Sequence, residues 1–251
     1  MKESTAVQSF GSFKKEDFWK QQWDDKLQKY MTEKPKLGLL IHNWILRGVM
    51  QNVESICEVA AGSCVSSLYL SMFYDVIATD MYEYGFGAAK KRASSRNFRL
   101  KFQKENAFGF SFPQDKFDLV FHNGFFICFN SNKDINKLIA EQVRISKKYL
   151  LVVVHNKNDI INQYRFYRKA HQGDGLYRIR WYSKEEIIRL LQPYGSIQKV
   201  AYLSYPVIDL FRNSGKIPAS IRSSDFYKNI WLLSIWRQIT FGDRLVVLLK
   251  V

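Results

Sequence analysis

From Ser55 onward, short runs rich in β-branched and aromatic residues alternate with segments of helical periodicity. This alternation constrains the fold more than any other feature. Parallel strands cannot be joined by tight turns, so each needs a crossover, and a helix is the usual one. The chain is therefore expected to be α/β, with a Rossmann-like, seven-stranded, mostly parallel sheet and helices on both faces. Strands are expected at Ser55–Val59 and Asp75–Thr79, then in "FRLKFQKE", "KFDLVFHN", "KYLLVVVHN", "IQKVAYLSY" and "GDRLVVLLKV". The fifth is apolar without a break from Tyr149 to Val154, which suits a central strand covered on both faces.

Between the strands, helices are expected over Val65–Phe73, in "YGFGAAKKRASS", from Asp134 to Lys147, and from about Asn158 to Gln172. Another lies in "WYSKEEIIRLLQPYG", where Ser183 caps, Glu186 closes the box, and Pro193 and Gly195 stop the helix. Residues 1–52 read as an N-terminal helical extension, and 53–251 as the main domain with an aromatic insertion at about 206–240. The two belong to one compact domain. Its 251 residues, 47% of them hydrophobic, are enough for a single substantial core.

Several classes can be set aside. No apolar stretch is long enough to span a membrane, and no apolar block follows the basic residues of the start, which argues against a secretory signal. Cys57, Cys64 and Cys128 are odd in number and read as reduced thiols of a cytoplasmic protein. His42, His122, His155 and His171 are scattered, with no ligand spacing to the cysteines, so no metal is expected. The formal charge of +15 calls for an anionic partner or a basic solvated surface. Nine Lys/Arg against two Asp/Glu fall between Arg144 and Arg180, so about half of the excess lies in one seventh of the chain.

In an open α/β sheet the ligand lies beyond the carboxyl ends of the strands. The first strand there delivers Glu58 and the small-residue turn Val59-Ala60-Ala61-Gly62-Ser63-Cys64, through which a backbone can come close to a ligand. The second ends at Asp80, a carboxylate suited to the two hydroxyls of a ribose. The third leads to Asn106 and Ala107, the fourth to His122-Asn123-Gly124. A turn, a ribose acid, an amide and an apolar wall together describe a nucleoside site.

With these residues in order, the chain resembles the class I S-adenosylmethionine-dependent methyltransferases, of the small-molecule kind that includes the ubiquinone-biosynthesis-type C- and O-methyltransferases. The acidic residue and alternating glycines of that family's first motif are matched by Glu58-x-Ala60-x-Gly62-x-Cys64, with Ala and Cys at two glycine positions. Its ribose acid matches Asp80, with Met81 beside the adenine, and its adenine-contacting acid matches Asn106, an amide here. The fourth motif matches Asp118 to Gly124. The resemblance spans about Val53 to Val251 and implies S-adenosylmethionine as cofactor, S-adenosylhomocysteine as product, and an antiparallel last strand. The implied cofactor-binding residues are Glu58, Ala60, Gly62, Cys64, Asp80, Met81, Asn106, Ala107 and Asn123. A sulfonium donor carries no phosphate, so its turn tolerates Ala60 and Cys64 where a dinucleotide's would not.

Methyl transfer from a sulfonium is an in-line displacement that needs alignment and exclusion of water more than acid–base groups. For an oxygen nucleophile His122 and His155, at the ends of strands four and five, are the candidate bases, with a structural role as the alternative. Relatives with a histidine pair after Asn-Gly have no match here, since Ile127 and Cys128 stand at those positions. Arg165 and Arg168 on a helix, and Arg178 and Arg180 alternating along a strand-like stretch, are the candidate anion ligands, with solvated surface charges as the alternative. Trp19 and Trp23, with Phe18 and Tyr30, are candidates for an aromatic lid over the acceptor, with ordinary core packing as the alternative.

The expected acceptor is a small anionic metabolite, methylated on oxygen. Nucleic acid is less favoured: no Asp/Asn-Pro-Pro-aromatic stretch follows strand four, and no cysteine follows a proline. An RNA or protein methyltransferase and a non-catalytic scaffold stay open as alternatives, as does the oligomeric state.

Overall fold

A computed structural model of the chain describes residues 17–22, 35–94, 98–203 and 242–251. After α1 (Lys36–Leu46) come β1 (Ser55–Val59), α2 (Val65–Leu70), β2 (Asp75–Asp80), α3 (Phe86–Ser94), β3 (Leu100–Lys104) and β4 (Phe117–Asn123). They are followed by α4 (Asn132–Arg144), β5 (Ser146–His155), α5 (Ile160–His171), α6 (Lys184–Leu191), β6 (Ser196–Leu203) and β7 (Arg244–Lys250). The seven strands form one sheet in the order β3-β2-β1-β4-β5-β7-β6. The first five are parallel to their neighbours, and β7 runs antiparallel between β5 and β6. The chain winds outward from β1 in one direction and from β4 in the other. The switch between them opens a crevice at the carboxyl ends of those two strands.

Side-chain alternation divides the core between the two faces. On one, Cys57, Val120, Leu150, Val152 and Val154 pack beneath Ile135, Leu138 and Ile139 of α4 and Ile187 and Leu191 of α6. On the other, Ile56, Leu119, Phe121, Leu151 and Val153 pack with Leu37, Ile41 and Trp44 of α1. Trp44 and α1 are thus part of the core.

The helix starts follow local chemistry. Ser131 Oγ accepts from the Asp134 amide at 3.3 Å at the start of α4, and Ser183 Oγ from the Glu186 amide at 3.1 Å at the start of α6. The expected reciprocal bond from Glu186 is not made, because its carboxylate lies 2.6 Å from Arg180 instead. A side chain at Gly195 would meet the Lys250 carbonyl at 2.3 Å, so glycine lets β6 begin hard against β7.

Three expectations need correction or fall outside the description. The helix after β1 ends at Leu70, and Phe73 belongs to the turn into β2. Arg178 and Arg180 are not on a strand: a 3-10 turn, Gly175–Tyr177, precedes them, and among the described residues an isolated bridge between Asn156 and Tyr182 ties the stretch to the end of β5. The insertion at 206–240, Trp23 and Tyr30 lie outside the described residues.

Candidate active site

The turn after β1 carries an unusual backbone. Ala60, Gly62 and Cys64 all have positive φ, at 51°, 51° and 54°. These are the alternate positions singled out in the sequence. Ala and Cys adopt left-handed conformations that glycine takes freely, each at a cost of about 1–2 kcal/mol. The turn is held from several sides. The Ala61 amide donates to the Thr79 carbonyl at 2.9 Å, and the Gly62 amide donates to Asp80 Oδ2 at 3.0 Å. A side chain at Gly85 would meet the Gly62 carbonyl at 2.1 Å, so this second glycine lets the next loop seat against the turn.

Asp80 is the hub. Oδ2 takes the Gly62 amide and Oδ1 the Tyr82 amide at 3.1 Å. A carboxylate has about four acceptor sites, so two remain for a diol. Burial pushes its pKa up, against the pull of the Tyr82 and Gly62 amides. Beside it, Met81 and Phe108 expose apolar side chains at the ends of β2 and β3. Phe108 was not foreseen in the sequence, although it sits two residues past Asn106. Asn106 accepts the Phe108 amide on Oδ1 at 3.0 Å, which leaves its Nδ2 as a donor toward a purine ring nitrogen. Ala107 is buried beneath this loop. Gly62, Asp80, Met81 and the Asn106–Phe108 loop thus gather at one edge of the sheet, and their donors and walls fit an adenosyl group.

Glu58 is placed differently from the other members. It is 3% exposed, and its Oε2 accepts from the Ser67 amide at 3.1 Å and from the Ser67 hydroxyl. It therefore caps the first turn of α2, whose N-cap residue Cys64 supplies no side-chain bond. Burial pushes its pKa up to about 7, and the Ser67 bonds oppose that rise.

The two histidines do not converge. His122 is in register with Val152, whose side chain lies under α4, whereas His155 alternates with Leu151 and Val153 toward the opposite face. His122 is fully buried, and its Nδ1 accepts the Phe125 amide at 3.2 Å. That bond puts the proton of the neutral ring on Nε2, and burial lowers the pKa to about 3. In this arrangement the one basic lone pair, on Nδ1, is already engaged by the Phe125 amide. His155 is also buried, with Nδ1 unpartnered among the described residues, and its ring meets Phe166 and Trp181 at centroid distances of 5.1 Å each. Burial, and then the Arg244 charge, hold its pKa well below the ordinary value.

Phe166 and Trp181 continue into an open groove of about 410 Å³, lined also by Tyr164, Tyr167, Tyr177 and Arg178. Of the anticipated arginines, only Arg178 lines it. Arg165 donates to Asn162 Oδ1 at 2.9 Å, and Arg168 lies exposed on α5. Arg180 is engaged with the Asn130 carbonyl, Asn132 Oδ1 and Glu186, and lies 4.7 Å over the Tyr182 ring. Helical residues 17–22 reach this region: Phe18 Cε2 is 3.3 Å from where a Gly175 side chain would begin, and Trp19 packs edge-on to Phe18. Asn123 is exposed at the end of β4 and accepts from Arg244 Nη1 at 3.1 Å. Arg244 was missed in the sequence. Its signal was a charge opening the apolar run Leu245–Leu249 of β7.

Comparison with known proteins bears on the fold. Residues 56–148 match the family model described as a methyltransferase domain. No curated protein matches the chain. Among solved structures, a possible histamine N-methyltransferase from Thermotoga maritima is similar at 15% identity and a TM-score of 0.59, over 93% of this chain and 98% of that one. Magnesium protoporphyrin IX methyltransferase from Synechocystis PCC 6803, solved with bound S-adenosylhomocysteine, is similar at 12% identity and a TM-score of 0.55, over 93% and 84%. Geranyl diphosphate C-methyltransferase from Streptomyces coelicolor A3(2) follows at 12% and 0.56, over 82% and 75%.

Proposed function

We infer that this chain, which carries a class I S-adenosylmethionine-dependent methyltransferase domain, transfers the methyl group to an oxygen of a small acidic metabolite. One observation carries the reading. The Gly62 amide and the Asp80 carboxylate meet at 3.0 Å where the β1 turn and the end of β2 come together, so a single nucleoside can contact both. S-adenosylmethionine supplies a methyl already activated as a sulfonium.

The chain's own residues then bind, orient and exclude water. Asp80 takes the ribose hydroxyls, Met81 and Phe108 flank the base, and Ala60 to Cys64 allow close approach of the methionine portion. Asn123, at the end of β4, stands between that cradle and the acceptor side. The aromatic groove of Phe166, Tyr177 and Trp181 holds the acceptor's apolar part. Phe18 and Trp19 close over it from the Gly175 side. His155 receives the acceptor proton, since the lone pair of His122 is held by the Phe125 amide. The neighbour solved with geranyl diphosphate supports an anionic acceptor on this fold.

The test is transfer of tritiated methyl from S-adenosylmethionine to a small-molecule extract, to RNA and to a protein lysate. Label in an acidic small molecule, released by a methyl-ester or ether cleavage, is the expected result. Label in RNA or protein alone overturns the acceptor class. No transfer, together with no cofactor binding, leaves a scaffold. In a reconstituted assay His155→Gln lowers kcat by about 10²-fold, as loss of a general base does, whereas His122→Gln acts through stability.

A further inference from the structure

We infer that Arg244 is the residue that binds the acidic group of the methyl acceptor, a role the α5 arginines do not share. The inference rests on the methyltransferase reading and adds to it a residue and a ligand chemistry.

Three observations at the carboxyl edge of β4, β5 and β7 carry it. First, the guanidinium is fixed in place. Nη1 donates to Asn123 Oδ1 at 3.1 Å and lies 3.1 Å from where a Gly124 side chain would begin. Gly124 has a φ of +80°, so glycine both accepts this backbone and makes room for the arginine. Second, the fork is left unsatisfied at Nε. With Nη1 held by Asn123, the Nε–Nη2 edge remains, and its two parallel donors match two oxygens of a carboxylate or phosphate. Arg244 Nε is buried and has no hydrogen-bond partner, and no carboxylate pairs with Arg244 among the described residues. Third, a second orphan lies beside it. His155 is the register partner of Arg244 across β5 and β7, is 4% exposed, and keeps Nδ1 unpartnered.

Buried donors without partners each cost stability, and two on adjacent strands, facing the same side, gain most from one shared acceptor. An oxyanion there takes the Arg244 fork and the His155 Nδ1–H, which leaves the His155 lone pair on Nε2. The rings of Phe166 and Trp181 against His155 connect this point to the aromatic groove, so an acceptor with an acidic end and an apolar body fills both. Asn123 joins the anion anchor directly to the end of β4.

The test uses the full chain, with inorganic phosphate and acetate as separate probes and His155 followed by NMR of ¹³C-labelled histidine. Phosphate or acetate is expected to move the His155 signal of the wild type. Arg244→Gln weakens that binding at least tenfold and leaves the Kd for S-adenosylhomocysteine within twofold, whereas Arg189→Gln, an equal charge change at an exposed position of α6, leaves both unchanged. The stronger probe identifies the oxyanion. A His155 signal that stays still while anion binds overturns the inference in the wild type alone, so an Arg244 variant that fails to fold does not shield it. Equal weakening by Arg244→Gln and Arg189→Gln also overturns it, because the anion then feels only net charge. Failure of the wild type to bind S-adenosylhomocysteine is a separate result that removes the methyltransferase reading, since the anion arms need no cofactor.

Discussion

The left-handed backbone at Ala60 and Cys64 shows a turn whose shape is kept by its surroundings after the residue type has changed. Asp80 and Thr79 receive the amides of Gly62 and Ala61, so the conformation is imposed from β2. We predict that Ala60→Gly stabilises the fold by about 0.5–1 kcal/mol in urea unfolding, strain relief outweighing the added freedom of the unfolded chain. Cys64→Gly gives no such gain, because the Cys64 side chain is fully buried and its loss leaves a void. Glu58 gives a pH prediction at the same scale. Its folded pKa, about 7, lies above the ordinary 4.5, so the folded state binds the proton more tightly. Its contribution is fully favourable below about 4.5 and is lost as pH rises through about 7. The stability of wild type minus that of Glu58→Gln is therefore expected to fall by roughly 2–3 kcal/mol between pH 4.5 and pH 8. A difference that stays flat with pH would mean that Glu58 is ionised in the fold. The motif spacing was legible in sequence, but the inward turn of Glu58 onto Ser67 was not, since that depends on where α2 begins.

At the scale of elements, the strands were legible because parallel strands buried on both faces read as apolar runs, and β5 is the clearest case. What failed was the segment from α5 to α6. Alternating Arg178 and Arg180 imitate a strand, but among the described residues no neighbouring strand offers a ladder there, and the Arg180 guanidinium finds Asn130, Asn132 and Glu186. This clasp ties the start of α4 to the start of α6. Arg180→Ala is expected to cost about 2–3 kcal/mol of stability, through lost charge-assisted bonds in a mostly buried setting, with little change in acceptor KM. Thermal unfolding and assays well below the transition separate the two effects. A raised KM with unchanged stability would return Arg180 to the acceptor site. The opposite faces of His122 and His155 were hidden for a related reason: each strand's parity was readable, but the register between β4 and β5 was not.

For the whole molecule, the sheet's switch point decides which residues meet. β1 and β2 bring Gly62 and Asp80 together, while β4, β5 and β7 bring Asn123, His155 and Arg244 to the same edge from distant parts of the sequence. A cofactor that bridges the β1 turn and β2 couples two strands and should stabilise the whole domain. At a hundredfold excess over Kd, S-adenosylhomocysteine contributes about 2.7 kcal/mol. For a chain of this size that corresponds to roughly 5–10 °C in Tm. Asp80→Asn is expected to abolish most of this shift, because the amide retains one acceptor oxygen where the carboxylate had two, and that oxygen already faces the Gly62 or Tyr82 amide. NADH gives no comparable shift, since its diphosphate requires a glycine-rich helix start, and the start of α2 is taken by the Glu58 carboxylate. Protection by NADH and none by S-adenosylhomocysteine, measured in the same melt, would reverse the assignment of the crevice.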